Sequence, residues 1–201
     1  MRRPAALILI ASLLCVPFAT PIYGGQYEDA NAALERGDFP TAYRIFKEMA
    51  DHGEAAGQNG LGFLYIIGQG VPQDYAEAMN WFRKAAEQGY AKAQYNIGLM
   101  YENGQGVPQD YAEATNWFRR AAEQGYAKAQ INLGASYYKG EGVPQDYTLA
   151  YFWLSLAVMG TEGKNENIVG ARDTAAKKLN PGQLEKVDQM VKEWKPKKER
   201  K

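Results

Sequence analysis

One phrase occurs three times in this chain at a constant step. GQGVPQDYAEA fills residues 68–78 and again 104–114, and the related GEGVPQDYTLA fills 140–150. The residues that keep this step of 36 include Gly62, Gly98 and Gly134; Pro72, Pro108 and Pro144; and Trp81, Trp117 and Trp153. Because a catalytic site needs a single constellation of residues, three copies of one phrase indicate architecture first. A period of this length predicts a supersecondary unit that stacks on its neighbours.

The middle copy divides into two helices and a hinge. In AKAQYNIGLMYEN, apolar residues recur at i, i+4, i+7 and i+8, the spacing of an amphipathic helix, here called helix A. Gly104 follows where a left-handed residue can end a helix, and Pro108 prevents its continuation. Asp110 is expected to be the N-cap of the next helix. Glu113, three residues later, is expected to accept a hydrogen bond from the Asp110 backbone N–H, which would complete a capping box. Helix B follows in YAEATNWFRRAAEQ, so the repeated phrase is a hinge between antiparallel helices.

Two details of the repeat lead to further predictions. Gly98 and its counterparts lie inside helix A, where glycine costs about 1 kcal/mol relative to alanine. A repeated cost of this kind predicts a close approach of two helices, with the alanines of helix B as the facing surface and Trp and Phe between units. The third copy keeps Asp146 but has Leu149 in place of the glutamate, which predicts a cap that is only half preserved.

The repeat as a whole resembles a known family. The pattern AxAxxxLGxxYxxGxGVPxDxxxAxxWxxxAAxxG is present as AKAQYNIGLMYENGQGVPQDYAEATNWFRRAAEQG and is similar to the Sel-one-like repeat family, a branch of the tetratricopeptide-like α/α solenoids. The resemblance covers residues 55–160 as three repeats, 55–90, 91–126 and 127–160. It implies an all-α fold, a right-handed α/α solenoid of antiparallel helix pairs.

Both ends of the chain depart from the repeat. Residues 25–54 predict a shortened N-terminal capping helix pair, with a tight turn at Arg36 and Gly37 where the repeats have GxGVP. Residues 161–195 predict two C-terminal capping helices, the second beginning at Asn180, and residues 196–201 predict a disordered basic tail. The apolar residues predicted to face the last repeat are Ile168, Ala171, Ala175 and Leu179, then Leu184, Val187, Met190, Val191 and Trp194.

Residues 1–24 predict a secretory signal peptide, because two arginines precede the apolar run from Ala5 to Phe18. The cleavage site is open, and retention as an anchor or lipidation at Cys15 are the alternatives. Lipidation is disfavoured because Leu14 stands where a small residue is needed. Cys15 is the only cysteine, so cleavage leaves a chain without thiols that can enter an oxidising compartment. We therefore predict a periplasmic or secreted protein with no membrane span after cleavage.

Composition and motifs argue against several functional classes. Lys plus Arg and Asp plus Glu both number 23 among 201 residues, so no global basic field attracts nucleic acid. His52 is the only histidine and falls at the end of a predicted helix, which disfavours a Ser-His-Asp triad. No HExxH, CxxC or phosphate-binding loop is present. The sequence therefore predicts no enzyme, no cofactor and no metal site, and the repeated tryptophans predict core packing.

One face of helix A is not needed by the core of its own unit. In the middle copy, Tyr95, Leu99 and Glu102 lie at i, i+4 and i+7, rotated by about 160° from the Ile97 stripe. The residues assigned to this face across the repeats are Asn59, Phe63, Ile66, Lys92, Tyr95, Leu99, Glu102, Lys128, Ile131 and Tyr138. The resemblance implies that they line a concave surface that holds peptides or partner proteins. The alternative is that they only contact the neighbouring helix A.

Three functions are compatible with these patterns. The main hypothesis is a monomeric, non-catalytic scaffold or adaptor in the bacterial cell envelope that binds a protein or peptide partner. The second is an envelope protein that binds peptidoglycan or another polysaccharide through exposed tyrosine and asparagine side chains. The third comes from the resemblance alone, since some cysteine-rich secreted members are linked to β-lactam binding or hydrolysis. This chain lacks their paired cysteines, which disfavours the third hypothesis.

Overall fold

The computed structural model describes residues 24–197, and this part of the chain is a series of α-helices without a strand. In chain order the helices are α1 (Gly24–Glu35), α2 (Phe39–Asp51), α3 (Ala55–Ile67), α4 (Tyr75–Glu87), α5 (Ala91–Asn103), α6 (Tyr111–Glu123), α7 (Ala127–Lys139), α8 (Tyr147–Gly160), α9 (Glu166–Ala176) and α10 (Pro181–Glu193). The predicted all-α fold of paired helices is confirmed. The predicted signal segment lies outside the described residues.

The helices stack in chain order. Each packs mainly against the helices before and after it, and α10 returns to α8. Helices α3, α5 and α7 are the A helices of the three repeats, and α4, α6 and α8 are the B helices. None of the helices within residues 24–197 combines the length and apolarity that a membrane crossing requires. Contacts between sequence neighbours therefore build most of the stack, as in repeat proteins generally.

The glycine inside each helix A faces a large side chain of helix B. A Cβ added at Gly98 would lie 2.5 Å from Cε1 of Phe118, and one at Gly62 would lie 2.6 Å from the Phe82 ring. The predicted close approach of the helices is therefore confirmed. The prediction that alanines are the facing surface holds only in part: the Ala114 carbonyl oxygen lies 3.2 Å from the position of the Gly98 Cβ, but the nearest side chain is an aromatic ring at Gly62 and Gly98 and Leu154 at Gly134. Phe82 and Phe118 are almost completely buried as a result.

The two glycines of each hinge are required for different reasons: the first ends helix A, and the second allows close contact with the preceding unit. Gly104 ends α5 in the predicted left-handed conformation, with φ +66°. The second glycine lies against the unit before it: a Cβ added at Gly142 would lie 2.0 Å from the Tyr111 carbonyl oxygen at the start of α6. Gly106 meets Tyr75 in the same way, one repeat earlier. The repeated phrase therefore turns the chain and also seats each unit on the preceding helix B.

The helix B caps differ from the predicted capping box. The Asp110 carboxylate accepts two backbone N–H bonds from the first turn of α6, at 2.9 and 3.0 Å. The backbone N–H of Asp110 donates to the Tyr101 carbonyl across the hinge at 3.0 Å, so it needs no bond from Glu113. The capping-box prediction is wrong for this reason. In the third copy Asp146 still accepts from the Leu149 N–H at 3.0 Å, so the half of the cap that was predicted to be preserved is present.

A row of glutamines joins successive units. Nε2 of Gln88 donates to Oε1 of Gln58 at 2.8 Å, and one repeat later Nε2 of Gln124 donates to Oε1 of Gln94 at 2.9 Å. Gln58 and Gln94 are each 6% exposed, so water does not compete freely for these bonds. Gly160 stands at the next position of the row, which ends where the C-terminal helices begin.

We expect this row to contribute to stability through its pairs. In a double-mutant cycle, Gln94→Ala and Gln124→Ala should show a coupling of about 0.5–1.5 kcal/mol, the net value of one hydrogen bond. Urea denaturation followed by circular dichroism measures the four free energies of unfolding. The control cycle combines Gln58→Ala with Gln124→Ala, which belong to different pairs and should add within about 0.5 kcal/mol. Equal coupling in both cycles would contradict the pairing.

The C-terminal helices cover the last repeat with narrower faces than predicted. Asn180 and Gln183 form a capping box, with both reciprocal bonds at 2.9 Å. The predicted residues that are buried are Ile168, Ala175, Val187 and Val191. Ala171 and Met190 are exposed, so the predicted stripe is wrong there, because α9 and α10 both pack mainly against α8 and no further helix within residues 24–197 covers these two side chains. Leu179 lies beyond the end of α9 and is half-buried.

The chain after α10 returns to the turn between α6 and α7. The backbone N–H of Lys197 donates to the Glu123 carbonyl at 2.8 Å, and the Lys197 ammonium lies 2.6 Å from the Glu123 carboxylate. Pro196 lies beside Gly125. The prediction of disorder from residue 196 is therefore wrong for these two residues, and residues 198–201 lie outside the described part.

Candidate functional site

A groove of about 450 Å³ lies on the helix A side of the stack. We call it the inner groove. Its lining residues are Tyr27, Asn31, Leu34, Phe46, Asn59, Gly60, Phe63, Lys92, Tyr95, Asn96, Leu99, Tyr126 and Lys128. This volume falls in the range of sites that hold ligands. A larger depression of about 810 Å³ runs along the exposed side of α10 alone, but a single helix does not enclose a ligand, so the inner groove is the candidate site.

The inner groove brings together part of the predicted face. The predicted residues that line it are Asn59, Phe63, Lys92, Tyr95, Leu99 and Lys128. Ile66, Glu102 and Tyr138 do not line it; they occupy one repeat position near the hinge end of each helix A, and the groove lies toward the other end. The Tyr138 ring packs edge-on against Tyr147 instead, with centroids 5.3 Å apart. Ile131 is half-buried in α7, outside the lining.

Sequence reasoning missed the contribution of α1. Tyr27 and Leu34 line the groove from α1, which the sequence analysis treated only as a cap. Tyr27 lies one 36-residue step before Phe63, and Phe63 one step before Leu99. Extending the 36-residue period by one step toward the N-terminus from Phe63 would have assigned Tyr27 to the same face.

One contact links α1 to α5 across α3. Nζ of Lys92, at the start of α5, lies 3.3 Å from the hydroxyl of Tyr27 in α1. Packed helices lie about 8–10 Å apart, so the backbones of α1 and α5 are separated by the width of α3. The long Lys92 and Tyr27 side chains bridge this distance along the groove, whose lining includes both residues.

The walls combine aromatic rings with polar groups. The Tyr95 ring lies 5.7 Å from that of Phe118 and 5.3 Å, edge-on, from that of Tyr126. Burial raises the pKa of both Tyr95 and Tyr126, so their phenols stay neutral. Burial also raises the pKa of Tyr27, but the Lys92 ammonium and the hydrogen bonds to this phenol outweigh burial and leave its pKa below the ordinary value.

Two asparagines form a pair on the groove floor. Nδ2 of Asn96 donates to Oδ1 of Asn59 at 2.9 Å, and Asn59 is only 3% exposed. The bond joins α5 to α3. Because a buried amide is stable only with a partner, the bond holds these two polar side chains in place beside the aromatic residues of the groove.

Chemistry-bearing residues do not converge elsewhere. Within residues 24–197, no three His, Asp or Glu side chains lie where they could hold a metal ion together. The sequence interpretation that no SxxK pattern of β-lactam-reactive enzymes is present is wrong, because Ser136 and Lys139 have this spacing. The structure gives them different surroundings: Ser136 is 7% exposed, whereas Lys139 is exposed and pairs with Glu141 at 3.3 Å. His52 is exposed, and its Nδ1 lies 2.7 Å from the Glu48 carbonyl oxygen.

Comparisons with known proteins agree on one family. A model of the Sel1 repeat family matches residues 55–90, 91–126 and 127–160. A search of curated proteins finds no match. Among solved structures, a Sel1 repeat protein from Oxalobacter formigenes is 35% identical with a TM-score of 0.63, over 67% of this chain and 54% of its own.

Two further structures are similar. The protective antigen c5321 of uropathogenic Escherichia coli strains, which displays an SLR fold, is 29% identical with a TM-score of 0.57, over 84% of this chain and 44% of its own. Cysteine rich protein B of Helicobacter pylori shares the fold, at 19% identity and a TM-score of 0.50, over 74% of this chain and 98% of its own. This chain spans about half the length of the first two structures. Because the three matched repeats make up more than half of its residues, the chain belongs to the Sel1 repeat family.

Proposed function

We propose that this chain is a non-catalytic scaffold or adaptor of the bacterial cell envelope that binds a partner protein or peptide in the inner groove. Sel1-repeat proteins are generally scaffolds for protein–protein interaction. The observation that carries the proposal is the inner groove, to which α1, α3 and α5 each contribute side chains. An extended site built from several repeats suits a polypeptide ligand.

The apolar part of the groove supports a polypeptide occupant. Phe63 projects into it with 42% of its surface exposed, and Leu99 lies one repeat further along. A large exposed aromatic ring beside other apolar side chains is typical of a surface that a partner covers. Aromatic anchors in such a position carry much of the affinity of protein interfaces.

The envelope location is part of the proposal and rests on the arginine pair and the apolar run at residues 5–18. A chain with a C-terminal tag, expressed in a Gram-negative host, should fractionate with the periplasm or the medium and have a mass lower by that of the leader. A full-length chain retained in the cytoplasm would contradict this part of the proposal.

Affinity capture from the native envelope tests the partner-binding role. We expect a discrete set of proteins to be captured by the wild-type chain and lost with the Phe63→Ala/Leu99→Ala variant. Tyr95 stays unchanged in this experiment because its ring supports the buried Phe118. Tyr111→Ala, at an aromatic residue that is 41% exposed on a helix B, is the matched control and should capture the same proteins as wild type.

Capture that survives the Phe63→Ala/Leu99→Ala change would reject the inner groove as the binding site. Circular dichroism of each variant ensures that a loss of capture reflects the surface and not unfolding.

Polysaccharide binding is the second candidate function, and one observation favours it. Tyr27, Tyr95 and Tyr126 line the same groove as the Asn59–Asn96 pair, and aromatic faces with amide groups suit sugar rings as well as peptides. Co-sedimentation of the purified chain with isolated peptidoglycan distinguishes the two. Sedimentation that the Phe63→Ala/Leu99→Ala change abolishes would favour the wall polymer over a protein partner.

A further inference from the structure

We infer that the occupant of the inner groove is an acidic segment of the partner, with a carboxylate side chain between Lys92 and Lys128 and an apolar side chain against Phe63. The inference rests on the proposed function and names the chemistry of the partner at that site. Three observations carry it: the sign of the charges in the groove, the hydrogen-bonding capacity of its asparagine pair, and the exposed apolar surface beside them.

The charge of the groove is positive and uncompensated. Its lining includes Lys92 and Lys128 but no aspartate or glutamate. Neither lysine forms an ion pair within residues 24–197; Lys92 meets only the phenol oxygen of Tyr27, at 3.3 Å. Cationic groups in a cleft with low-dielectric walls concentrate the field and attract anions. The groove therefore selects negative charge.

This positive charge does not follow from the overall composition. The whole chain has equal numbers of basic and acidic residues, 23 of each. Some lysines on other surfaces pair with carboxylates, as Lys139 does with Glu141 and Lys197 with Glu123. The nearest acidic member of the predicted face, Glu102, lies outside the lining, toward Lys139 and Glu141. The absence of a carboxylate from the lining is thus a property of this surface and not of the composition.

The asparagine pair favours a peptide over a simple anion. After the bond between Asn96 and Asn59, the pair retains one amide nitrogen and one carbonyl oxygen that bond to nothing else within the described residues. The same holds if both amides are turned over, because the exchange leaves one donor and one acceptor. A peptide group needs one donor and one acceptor, whereas a sulfate or a phosphodiester offers only acceptors.

The exposed apolar surface of the groove indicates which kind of side chain accompanies the acidic residue in the bound segment. Phe63 and Leu99 lie in the same lining as the two lysines. An extended peptide places successive side chains on opposite sides, so an acidic residue and an apolar residue two positions apart can face the groove together. We therefore expect a segment in which Asp or Glu alternates with Leu, Ile, Phe or Trp.

Peptide selection tests this inference on the full chain. Random 12-residue peptides displayed on phage are selected against wild type, a Lys92→Glu/Lys128→Glu variant and the Phe63→Ala/Leu99→Ala variant. We expect wild type to enrich acidic–apolar peptides that neither variant enriches. The enriched peptide, synthesised and followed by fluorescence anisotropy, should bind the Lys92→Gln/Lys128→Gln variant at least about tenfold more weakly and should lose affinity as salt is raised.

The matched control is the variant Lys186→Gln/Lys192→Gln, which removes two lysines from α10, outside the groove. It should bind the enriched peptide as wild type does. Groove-dependent peptides that are neutral or basic would overturn the acidic inference and leave the proposed function standing. Failure of wild type to enrich any peptide that the Phe63→Ala/Leu99→Ala variant loses would overturn both.

Discussion

Replacing Phe118 by alanine is expected to lower the free energy of unfolding by about 3–5 kcal/mol, the range for a large aromatic side chain removed from a core. The ring is 0% exposed and lies over Gly98, which has no side chain that could fill the space left behind. The Tyr95 ring, 5.7 Å away, also loses its support. The cavity can therefore close only if α5 and α6 move together.

Phe63→Ala is the matched control for Phe118→Ala, since it makes the same chemical change at a ring that is 42% exposed. Its effect on the free energy of unfolding should be well below that of Phe118→Ala, about 1 kcal/mol, because a large part of the ring already faces water. Urea denaturation monitored by circular dichroism compares the two variants directly. Similar losses at both positions would contradict the assignment of Phe118 to the core and of Phe63 to a surface kept for binding.

Gly142→Ala is expected to lower the free energy of unfolding by about 2–5 kcal/mol. Part of this loss, about 1–2 kcal/mol, is the cost of the left-handed conformation for a residue with a Cβ, because φ is +72°. The rest, about 1–3 kcal/mol, comes from overpacking: the new Cβ would lie 2.0 Å from the Tyr111 carbonyl oxygen, and a backbone atom cannot rotate away.

Gly163→Ala separates these two contributions. Gly163 has nearly the same φ, +68°, but apart from its two neighbours in the chain no residue lies within 4 Å of the position its Cβ would take. Its substitution should therefore cost only the conformational part, about 1–2 kcal/mol. The difference between the losses in free energy of unfolding of the two variants measures the contribution of close packing between the third hinge and α6. Equal losses would contradict this contribution and leave the hinge glycines only the role of turning the chain.

The sequence predicted the features that recur in register. The 36-residue step located the hinges, the Asp110 cap and the glycine inside helix A, because each copy confirms the others. It could not predict the bond from the Asp110 N–H to the Tyr101 carbonyl, which forms across the hinge and makes the capping box unnecessary. Nor could it predict that Phe118 faces Gly98, since helical spacing gives no information on which residue of the next helix lies opposite.

The same limit explains the partial prediction of the groove. Helical periodicity identifies the angle of a residue around its helix, so Tyr95 and Leu99 were placed on the correct face. It does not identify which end of the helix borders the groove, so Glu102 was assigned to this face although it lies toward Lys139, outside the lining. The contact of Tyr27 with Lys92 joins helices two apart in the stack and is not encoded in any one repeat.

Site-specific photocrosslinking tests the central claim, that the inner groove is where the partner binds, most directly. A photoreactive benzoylphenylalanine replaces Phe63 in one variant and Tyr111 in another; the two aromatic side chains are 42% and 41% exposed, on helix A and helix B respectively. After irradiation of intact cells, the account predicts a discrete protein adduct from position 63 and none from position 111. Adducts of equal yield from both positions, or from position 111 alone, would contradict it.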